Sequence, residues 1–596
     1  MSAMAPQDDD IVGKAYDAVL MRRLLQYLRP YRPHVLLAFV AIVGGSILQL
    51  AQPYLMKLAI DRYIAAGDMD GMNGIALLFL CVLAGSFVLE YVQTYVLQLT
   101  GQRIMFDLRM QIYRHLQRLD VAFYDRNPVG RLMTRVTTDV DALNDLFTSG
   151  VVSVFGDIFT LAGIMVVLVS MNWTLALVAF SVLPLIVLIT QWFRRNVRES
   201  YRTVRAWIAR INAFLQENIT GMATVQLFRR EGRNFDRFDG INRGHRDANV
   251  ESIFYYAVFY PAIEVVGALA TALIIWRGGG DVVSRTLTLG TLVAFIQYSQ
   301  RFFRPISDMS EKFNILQSAM AASERIFKLI DTPVVVASAS GAPAPAGHGH
   351  VVFDHVSFAY HGDDYVLRDV SFEVKPGERV GIVGATGAGK SSIISLLMRF
   401  YDATEGRVLI DGVDIRDLEI AELRRLFSLV LQDVHVFSGT IGGNIRLGDA
   451  AVDEGRMRAA AKAVHADRFI ERLPQGYETP VVERGATLST GQKQLLAFAR
   501  ALAFNPRVLV LDEATSSIDT ETEMLIRDAL HVLMAGRTTI AVAHRLSTIQ
   551  DMDKILVMHK GQLREAGTHQ ELLAMRGLYY RLYQLQYKEQ ELGVRA

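Results

Sequence analysis

The chain has 596 residues, of which 51% are hydrophobic and only 21% are charged. This length is too great for one hydrophobic core, and the apolar excess lies in long uncharged runs of the first half. Lys plus Arg number 62 against 61 Asp plus Glu, so no global basic field indicates a nucleic-acid partner. The single cysteine, Cys81, excludes an internal disulfide framework and a cysteine-rich metal site.

The N-terminal segment, residues 1–34, is predicted to be a cytoplasmic tail followed by an interfacial helix. Its acidic first ten residues have no apolar core, so they do not resemble a secretory signal or a transit peptide. Leu20, Leu24, Leu25 and Leu28 then share one face of a helix, with arginines on the other. This pattern is typical of a helix that lies in the plane of the membrane interface.

Six apolar segments of about 20 residues follow, which is the length needed to cross the hydrocarbon core of a bilayer. They predict a transmembrane domain over residues 35–332. The predicted spans are residues 35–54, 73–96, 151–171, 173–193, 253–276 and 287–303.

Two connections between these spans, residues 98–150 and 194–251, are long and rich in arginine. Arginine excess marks the cytoplasmic side of a membrane protein. Both connections also carry apolar residues at helical spacing, so we expect them to continue the spans as long cytoplasmic helices. Each should reverse at a short crossing helix, around residues 127–133 in the first and 219–226 in the second.

Three acids, Glu90, Asp157 and Glu264, lie inside predicted spans. A carboxylate at the centre of a span is costly, so such groups usually face a wet cavity or a partner. Glu264 is the candidate for contact with a substrate or a proton. A structural hydrogen bond in a helix weakened by Pro261 explains it equally well.

The second half is predicted to be a separate domain. Residues 333–350 are rich in Ala, Gly and Pro and are predicted to form a linker. From residue 351 to 596 short β-rich runs alternate with helical patterns, which is typical of an α/β domain.

The segment Gly384-Ala-Thr-Gly-Ala-Gly-Lys390-Ser391 is a G-x-x-x-x-G-K-S phosphate loop between a strand-like and a helix-like run. Glycines let backbone N–H groups surround phosphate oxygens, the helix N-terminus adds a positive dipole end, and Lys390 supplies a point charge. Ser391 can offer its hydroxyl to a magnesium ion. The chain is therefore predicted to bind a nucleoside triphosphate.

An acidic pair, Asp512 and Glu513, follows the apolar run 508–511. An acid at a strand end beside the phosphate loop can reach magnesium, usually through water, and Asp512 fits that role. Glu513 is then well placed to orient or deprotonate the attacking water.

With these motifs the second half resembles the ATPases of ABC transporters. Leu488-Ser-Thr-Gly-Gln492 looks like the signature motif of that family, and residues 516–519 look like its D-loop. Gln432, His544 and Tyr360 match the Q-loop, the switch histidine and the aromatic residue that stacks on adenine. The first half, with six spans and two long cytoplasmic connections, resembles exporter half-transporters of the multidrug and lipid type.

The resemblance implies a role for each matching residue. Ser489 and Gly491 would act on the opposing subunit, so ATP would be held between two half-transporters, identical or different. The crossing helices near Pro128 and Gly221 would transmit closure of the ATPase domains to the spans. The implied residues are, for ATP, Tyr360, Gly384, Thr386, Gly387, Gly389, Lys390, Ser391, Ser392, Gln432, Ser489, Gly491 and Gln492; for magnesium, Ser391, Gln432 and Asp512; for catalysis, Glu513 and His544; and for coupling, Pro128, Gly130 and Gly221.

Two positions depart from the pattern of the family. Thr490 replaces the usual second glycine of the signature motif and adds a β-branched side chain close to the phosphate. Val482 stands where many relatives have glycine.

The sequence thus predicts a six-helix all-α transmembrane domain with long cytoplasmic extensions, followed by an α/β P-loop ATPase domain with a helical subdomain. The predicted function is export of amphipathic drugs or lipids across the cell (inner) membrane, with a cytoplasmic ATPase domain, ATP and Mg²⁺ as cofactors, and no nucleic-acid partner. The alternative is an ATP-gated channel or a regulatory membrane ATPase that uses the same engine. A soluble DNA-maintenance ATPase is disfavoured because the interval from Lys390 to Ser489 is too short for its coiled coil.

Overall fold

The computed structural model describes residues 17–338, 346–482, 485–512, 520–542 and 549–593; side chains are described in these ranges except at 149–153, 303–311, 520–521 and 586–593. The contacts divide the chain into two compact units. The helical unit contains the residues up to Gln117 and Val129–Thr332. The α/β unit contains Arg118–Pro128 and the residues from Pro333 onward.

The first half of the chain is helical, as its periodicity predicts. Helix α4 belongs to the α/β unit and the other helices before residue 333 to the helical unit. In chain order the helices are α1 (Ala18–Gln26), α2 (Arg32–Leu58), α3 (Met69–Leu116), α4 (Val121–Arg126), α5 (Val129–Val136), α6 (Thr138–Asp145), α7 (Val151–Met171), α8 (Trp173–Phe180), α9 (Leu183–Thr220), α10 (Met222–Leu227), α11 (Glu231–Val283) and α12 (Leu289–Ile330).

Five helical segments among the described residues are long and apolar enough to cross a membrane. They overlap the first five predicted spans, and α12 contains residues 289–303 of the sixth. The sixth predicted span is less apolar than the other five because it includes Gln297, Ser299, Gln300 and Arg301. Helices α3, α9, α11 and α12 have 48, 38, 53 and 42 residues. At about 1.5 Å per residue they extend well beyond a hydrocarbon core of about 30 Å, as expected for spans that continue as long helices.

The predicted span 173–193 falls within one candidate membrane segment, Trp173–Thr220, which consists of two helices. Helix α8 ends at Phe180, and α9 starts at Leu183 with Pro184 in its first turn. Proline lacks the N–H that would continue the helix, which explains the break. The first crossing helix, expected around 127–133, is replaced by the two short helices α4 and α5, with Pro128 between them.

The described residues of the α/β unit form three sheets. Its strands are β1 (Val351–Ala359), β2 (Tyr365–Val374), β3 (Arg379–Val383), β4 (Glu405–Ile410), β5 (Val413–Asp414), β6 (Phe427–Val430), β7 (Gly439–Thr440), β8 (Pro480–Val481), β9 (Val508–Asp512), β10 (Thr538–Val542), β11 (Lys554–His559) and β12 (Gln562–Gly567). Its later helices are α13 (Lys390–Leu397), α14 (Ile420–Arg425), α15 (Ile441–Arg446), α16 (Glu454–Ala463), α17 (Asp467–Ile470), α18 (Thr490–Ala503), α19 (Thr520–Met534), α20 (His569–Met575) and α21 (Leu578–Gly593).

The main sheet has six strands in the order β12-β11-β3-β10-β9-β6. Its neighbours are parallel except β12, which is antiparallel to β11. Strand β10 is buried along its whole length, as expected for parallel strands covered on both faces. An antiparallel sheet in the order β2-β1-β4-β5 shares one apolar core with α13, and helices α15, α16 and α18 share a second core with β9.

Helix α1 is fastened to the end of α12 by one arginine. The Arg23 guanidinium donates to both carboxylate oxygens of Asp331, at 2.6 and 2.8 Å, and lies 4.1 Å from the ring centroid of Phe327. The bidentate bond to Arg23 lowers the pKa of Asp331, so the pair stays ionised at neutral pH. Tyr27 adds a hydrogen bond to Gln111 of α3. The predicted interfacial helix is thus attached to two long helices.

We predict that Arg23→Ala loosens α1. The loss of a partly exposed ion pair and a cation–π contact should cost about 1–2 kcal/mol. Hydrogen exchange of residues 18–26 should rise roughly 5- to 30-fold, measured by mass spectrometry on the purified protein. Arg22→Ala, which changes an exposed neighbour, is the matched control, and equal exchange in both variants would contradict the assignment.

Candidate functional site

The phosphate loop lies between β3, in the interior of the main sheet, and α13. Gly387 and Gly389 have φ of +80° and +97°, a region that L side chains rarely adopt. A Cβ on Gly389 would lie 2.6 Å from Leu367 Cδ2, whereas one on Gly387 would meet no atom within 4 Å. Gly389 is thus required by packing, and Gly387 borders open space in which a ligand can approach the backbone.

Lys390 is 6% exposed, and its ammonium donates to the carbonyl oxygens of Gly384 and Ala385 at 2.7 and 3.2 Å. A buried cation held by backbone dipoles fits a site whose ligand is an anion. Ser391 follows in the first turn of α13 and is exposed. The loop, the lysine and the helix N-terminus therefore fit a triphosphate.

The predicted magnesium ligands lie at the carboxyl ends of parallel strands. Asp512 is the last residue of β9. In β10, Val542 pairs with Asp512 on one side and with Ile382 of β3 on the other, and Ile382 lies two residues before the phosphate loop. Gln432 is exposed and follows β6, the other neighbour of β9. The described residues contain no cluster of three His, Cys, Asp or Glu side chains for a metal. One carboxylate, a hydroxyl and substrate phosphates fit the coordination of Mg²⁺.

Tyr360, the predicted adenine contact, follows β1 and belongs to a group of aromatic rings. Its ring meets Phe358 and Tyr401 edge-on, with centroids 4.7 and 5.0 Å away. Its hydroxyl lies 3.1 Å from that of Ser392 on α13 and shares a hydrogen bond with it. The structure therefore brings Tyr360 and Ser392, predicted separately from sequence, into contact beside the phosphate loop.

The signature motif begins α18 with a capping box. Ser489 is the N-cap: its hydroxyl accepts from the N–H of Gln492 at 3.2 Å, and its own N–H donates to the Gln492 side chain at 3.0 Å. Ser489 and Thr490 are exposed, while Gly491 is buried. The first turn of α18 therefore presents a helix N-terminus at the surface of the described unit.

Comparison with known proteins gives the family. Residues 35–306 match the family described as ABC transporter transmembrane region, and residues 367–516 match the family described as ABC transporter. An ATP-dependent lipid A-core flippase of Syntrophus aciditrophicus is 35% identical over 575 residues, 96% of each chain. A fatty acid ABC transporter of Mycobacterium tuberculosis is 38% identical over 518 residues, 86% of this chain and 82% of the relative.

The chain belongs to the ABC transporter family. A solved structure of a bacterial Atm1-family ABC exporter with ATP bound is similar over 96% of this chain and 99% of that one, with a TM-score of 0.76 and 31% identity. The predictions of an exporter-type half-transporter, of a helical membrane domain fused to an α/β ATPase domain, and of a transport-coupled ATPase are confirmed.

The predicted catalytic residues of this ABC transporter, Glu513 and His544, and its D-loop, residues 516–519, lie outside the described residues. In sequence, Glu513 directly follows Asp512 and His544 comes two residues after Val542. Their roles stay predictions. So do the coupling roles of Pro128, of Gly130 in the first turn of α5, and of Gly221 at the junction of α9 and α10.

A contact that sequence reasoning missed fastens α4 to the ATPase fold. The Tyr401 hydroxyl donates to Asp125 Oδ2 at 2.5 Å, and Arg126 Nη2 donates to the carbonyl oxygen of Tyr360 at 3.4 Å. Burial and the Asp125 carboxylate raise the pKa of Tyr401, so this phenol stays protonated across the physiological range. Helix α4 therefore contacts the same aromatic group that reaches Ser392.

The three acids of the predicted spans have different surroundings. Asp157 on α7 forms an ion pair with Lys312 on α12. Glu90 on α3 and Glu264 on α11 are exposed. Asp157 thus has the partner that an intramembrane carboxylate requires, and a role of Glu264 in the substrate pathway stays a prediction.

We predict that Tyr401→Phe and Asp125→Ala act through one shared hydrogen bond, because each removes one of its two partners. Each should lower ATPase turnover about fivefold, equivalent to about 1 kcal/mol, and the double variant should be no slower than either single variant. Tyr365→Phe removes the 3.3 Å bond from another tyrosine to Glu405 of β4 and is the control, with parental turnover expected. Additive losses in the double variant would show that Tyr401 and Asp125 act separately.

Proposed function

We propose that two copies of this half-transporter form a dimer that exports amphipathic compounds, lipids included, by alternating access. ATP would be bound and hydrolysed between the two ATPase units. One observation carries this proposal. The α/β unit exposes two surfaces that could each bind one side of a triphosphate: the phosphate loop before α13 and the capped N-terminus of α18. A triphosphate held from two sides needs both, and a second copy supplies the missing side.

The substrate class is supported by the relatives. One of them is named a lipid A-core flippase and another a fatty acid transporter, and both cover most of this chain. These ligands share a long apolar portion and a polar head. A membrane domain of long apolar helices that contains the ion pair of Asp157 and Lys312 suits such molecules.

The residues of the chain would divide the work at the nucleotide as follows. Lys390 and the loop N–H groups hold the phosphates, and Tyr360 packs against the base. Ser391, Gln432 and Asp512 would hold Mg²⁺, which when bound neutralises charge on the phosphate oxygens. Glu513 would take a proton from water while His544 positions the terminal phosphate, and dimer closure would exclude solvent from them.

The orientation follows from charge. The arginine-rich connections 98–150 and 194–251 favour a cytoplasmic location for the helical extensions and the ATPase unit. Export across the cell (inner) membrane would then run from the cytoplasm outward.

We predict that Ser489→Ala abolishes most ATPase activity while Thr568→Ala does not. Both residues cap a helix with the same reciprocal box, so both substitutions should cost about 1 kcal/mol of stability. Only Ser489 would also contact a phosphate of the ATP bound to the phosphate loop of the partner. Loss of that hydrogen bond should slow hydrolysis about 100-fold or more. The measurement is steady-state ATPase of the purified dimer, and equal rates for the two variants would refute the shared site.

In proteoliposomes the parent should concentrate a fluorescent fatty acid or phospholipid analogue against its gradient when ATP is added outside. Glu513→Gln should bind ATP normally yet hydrolyse it at least about 100-fold more slowly, because the group that activates water is lost. It should therefore not sustain uphill transport. Downhill leak gated by ATP in both proteins would instead identify a channel, and parental hydrolysis by the variant would disprove the role of Glu513.

A further inference from the structure

Helix α2 contains a proline in its interior, Pro53. Proline has no backbone N–H, so the carbonyl oxygen of Gln49 loses the helical partner that residue 53 would otherwise supply. In the membrane interior water does not replace such a bond, and a neighbouring helix normally supplies the donor.

Helix α12 supplies that donor with an arginine. Arg301 Nη1 donates to the carbonyl oxygen of Gln49 at 2.6 Å, and Nη2 donates to Gln52 Oε1 at 2.7 Å. One turn earlier on α12, the Tyr298 hydroxyl donates to the carbonyl oxygen of Leu50 at 2.5 Å. Neutral donors such as hydroxyl groups and water are sufficient to satisfy a helix carbonyl freed by a proline in a membrane. A full positive charge at Gln49 is therefore more than the fold requires.

Arg301 lies within the predicted sixth span. At one end of α12, Asp61 accepts hydrogen bonds from the Gly290 N–H and the Thr288 hydroxyl, close to where the helical extension of α2 ends at Ile64. At about 1.5 Å per residue, Arg301 lies about 17 Å along α12 from this contact. That distance is less than the thickness of a hydrocarbon core, about 30 Å, so Arg301 lies inside the predicted sixth span, residues 287–303, near its C-terminal end.

The hydrogen-bond partners of Arg301 among the described residues are neutral oxygens. A second cation of α12, Lys312, differs in this respect, because it forms an ion pair with the carboxylate of Asp157. Charged groups at this depth face a wet cavity or a partner rather than lipid. Arg301 is half-buried and Gln49 is exposed, and the two bonds engage two of the five N–H donors of the guanidinium. The remaining donors suit a planar, bidentate anion.

We propose that Arg301 is the headgroup contact of the transport site and that the substrates are anionic amphiphiles, whose carboxylate or phosphate it binds. This inference rests on the proposed export function and narrows its substrate class. Gln49 and Gln52 are positioning residues that hold the guanidinium in the fork orientation. A lysine at this position would keep the positive charge but lacks the planar pair of N–H donors, so it should replace Arg301 only in part.

The test uses the full-length protein in nanodiscs and amphiphiles with one alkyl chain and four headgroups: carboxylate, phosphate, alcohol and trimethylammonium. The concentration for half-maximal ATPase stimulation is measured for each. In the parent it should be lowest for the anions, and the carboxylate and phosphate arms distinguish a fatty acid from a phospholipid as the source. Arg301→Gln should raise it about 10- to 100-fold for the anions and less than about twofold for the alcohol. Arg301→Lys should be intermediate.

A second pair of variants separates binding from a purely structural role. Pro53→Ala restores the N–H that bonds the Gln49 carbonyl, so the double variant Pro53→Ala/Arg301→Gln has no unsatisfied backbone oxygen there. It should regain the thermal stability lost by Arg301→Gln alone, yet remain unselective for anions. Tyr298→Phe, which removes a neutral donor to the same helix, should keep the parental headgroup order.

Recovery of anion selectivity in the double variant would overturn the proposal, because Arg301 would then serve only to satisfy α2. Equal stimulation of the parent by alcohol and carboxylate would also overturn it while leaving amphiphile export intact. If no amphiphile stimulates ATPase or is transported by the parent, the export proposal and this inference fail together.

Discussion

A buried lysine ammonium enclosed by a loop of glycines is the interaction on which the ATPase unit depends. Lys390 is almost fully buried and donates to the carbonyl oxygens of Gly384 and Ala385. A bound triphosphate would place anionic oxygens beside this ammonium, so nucleotide binding and the stability of the loop would be thermodynamically linked. The strand order β3-β10-β9 then places Asp512 at the same edge of the sheet.

In the helical unit, charged side chains in or near the spans also need compensating partners. The carboxylate of Asp157 is balanced by Lys312, whereas Arg301 is held by a carbonyl and an amide oxygen. An ion pair is complete by itself, but a cation held by dipoles can still gain from an anionic ligand. Arg301 donates to neutral oxygens, as Lys390 does, and its proposed ligand is likewise an anion.

Much of this arrangement is readable from sequence because it is encoded locally. The phosphate loop, the strand that ends in Asp512 and the long amphipathic helices each have a motif or a period, and the structure and the comparisons bear out the fold and family. Pro184 also indicates the helix break before α9, but the apolar run around it has no charged residue that would mark a break in a span. The bond from Tyr401 to Asp125 joins residues 276 positions apart, and no local pattern indicates such a partner. The partners of Arg301 were hidden for the same reason.

The contacts of α4 bear on the proposed coupling, in which closure of the ATPase domains is transmitted to the spans. A shift of a two-state equilibrium from 1:99 to 99:1 requires about 5.5 kcal/mol. One hydrogen bond to a charged group contributes about 1.5–3 kcal/mol, and less where it is exposed. In the proposed coupling, the bond between Tyr401 and Asp125 would therefore bias such an equilibrium without driving it alone. The ring of Tyr401 also packs against Tyr360, whose hydroxyl reaches Ser392 beside the phosphate loop. These contacts form a continuous chain from α4 to the phosphate loop. If several of them changed together, the sum of their free energies would exceed that of any single contact.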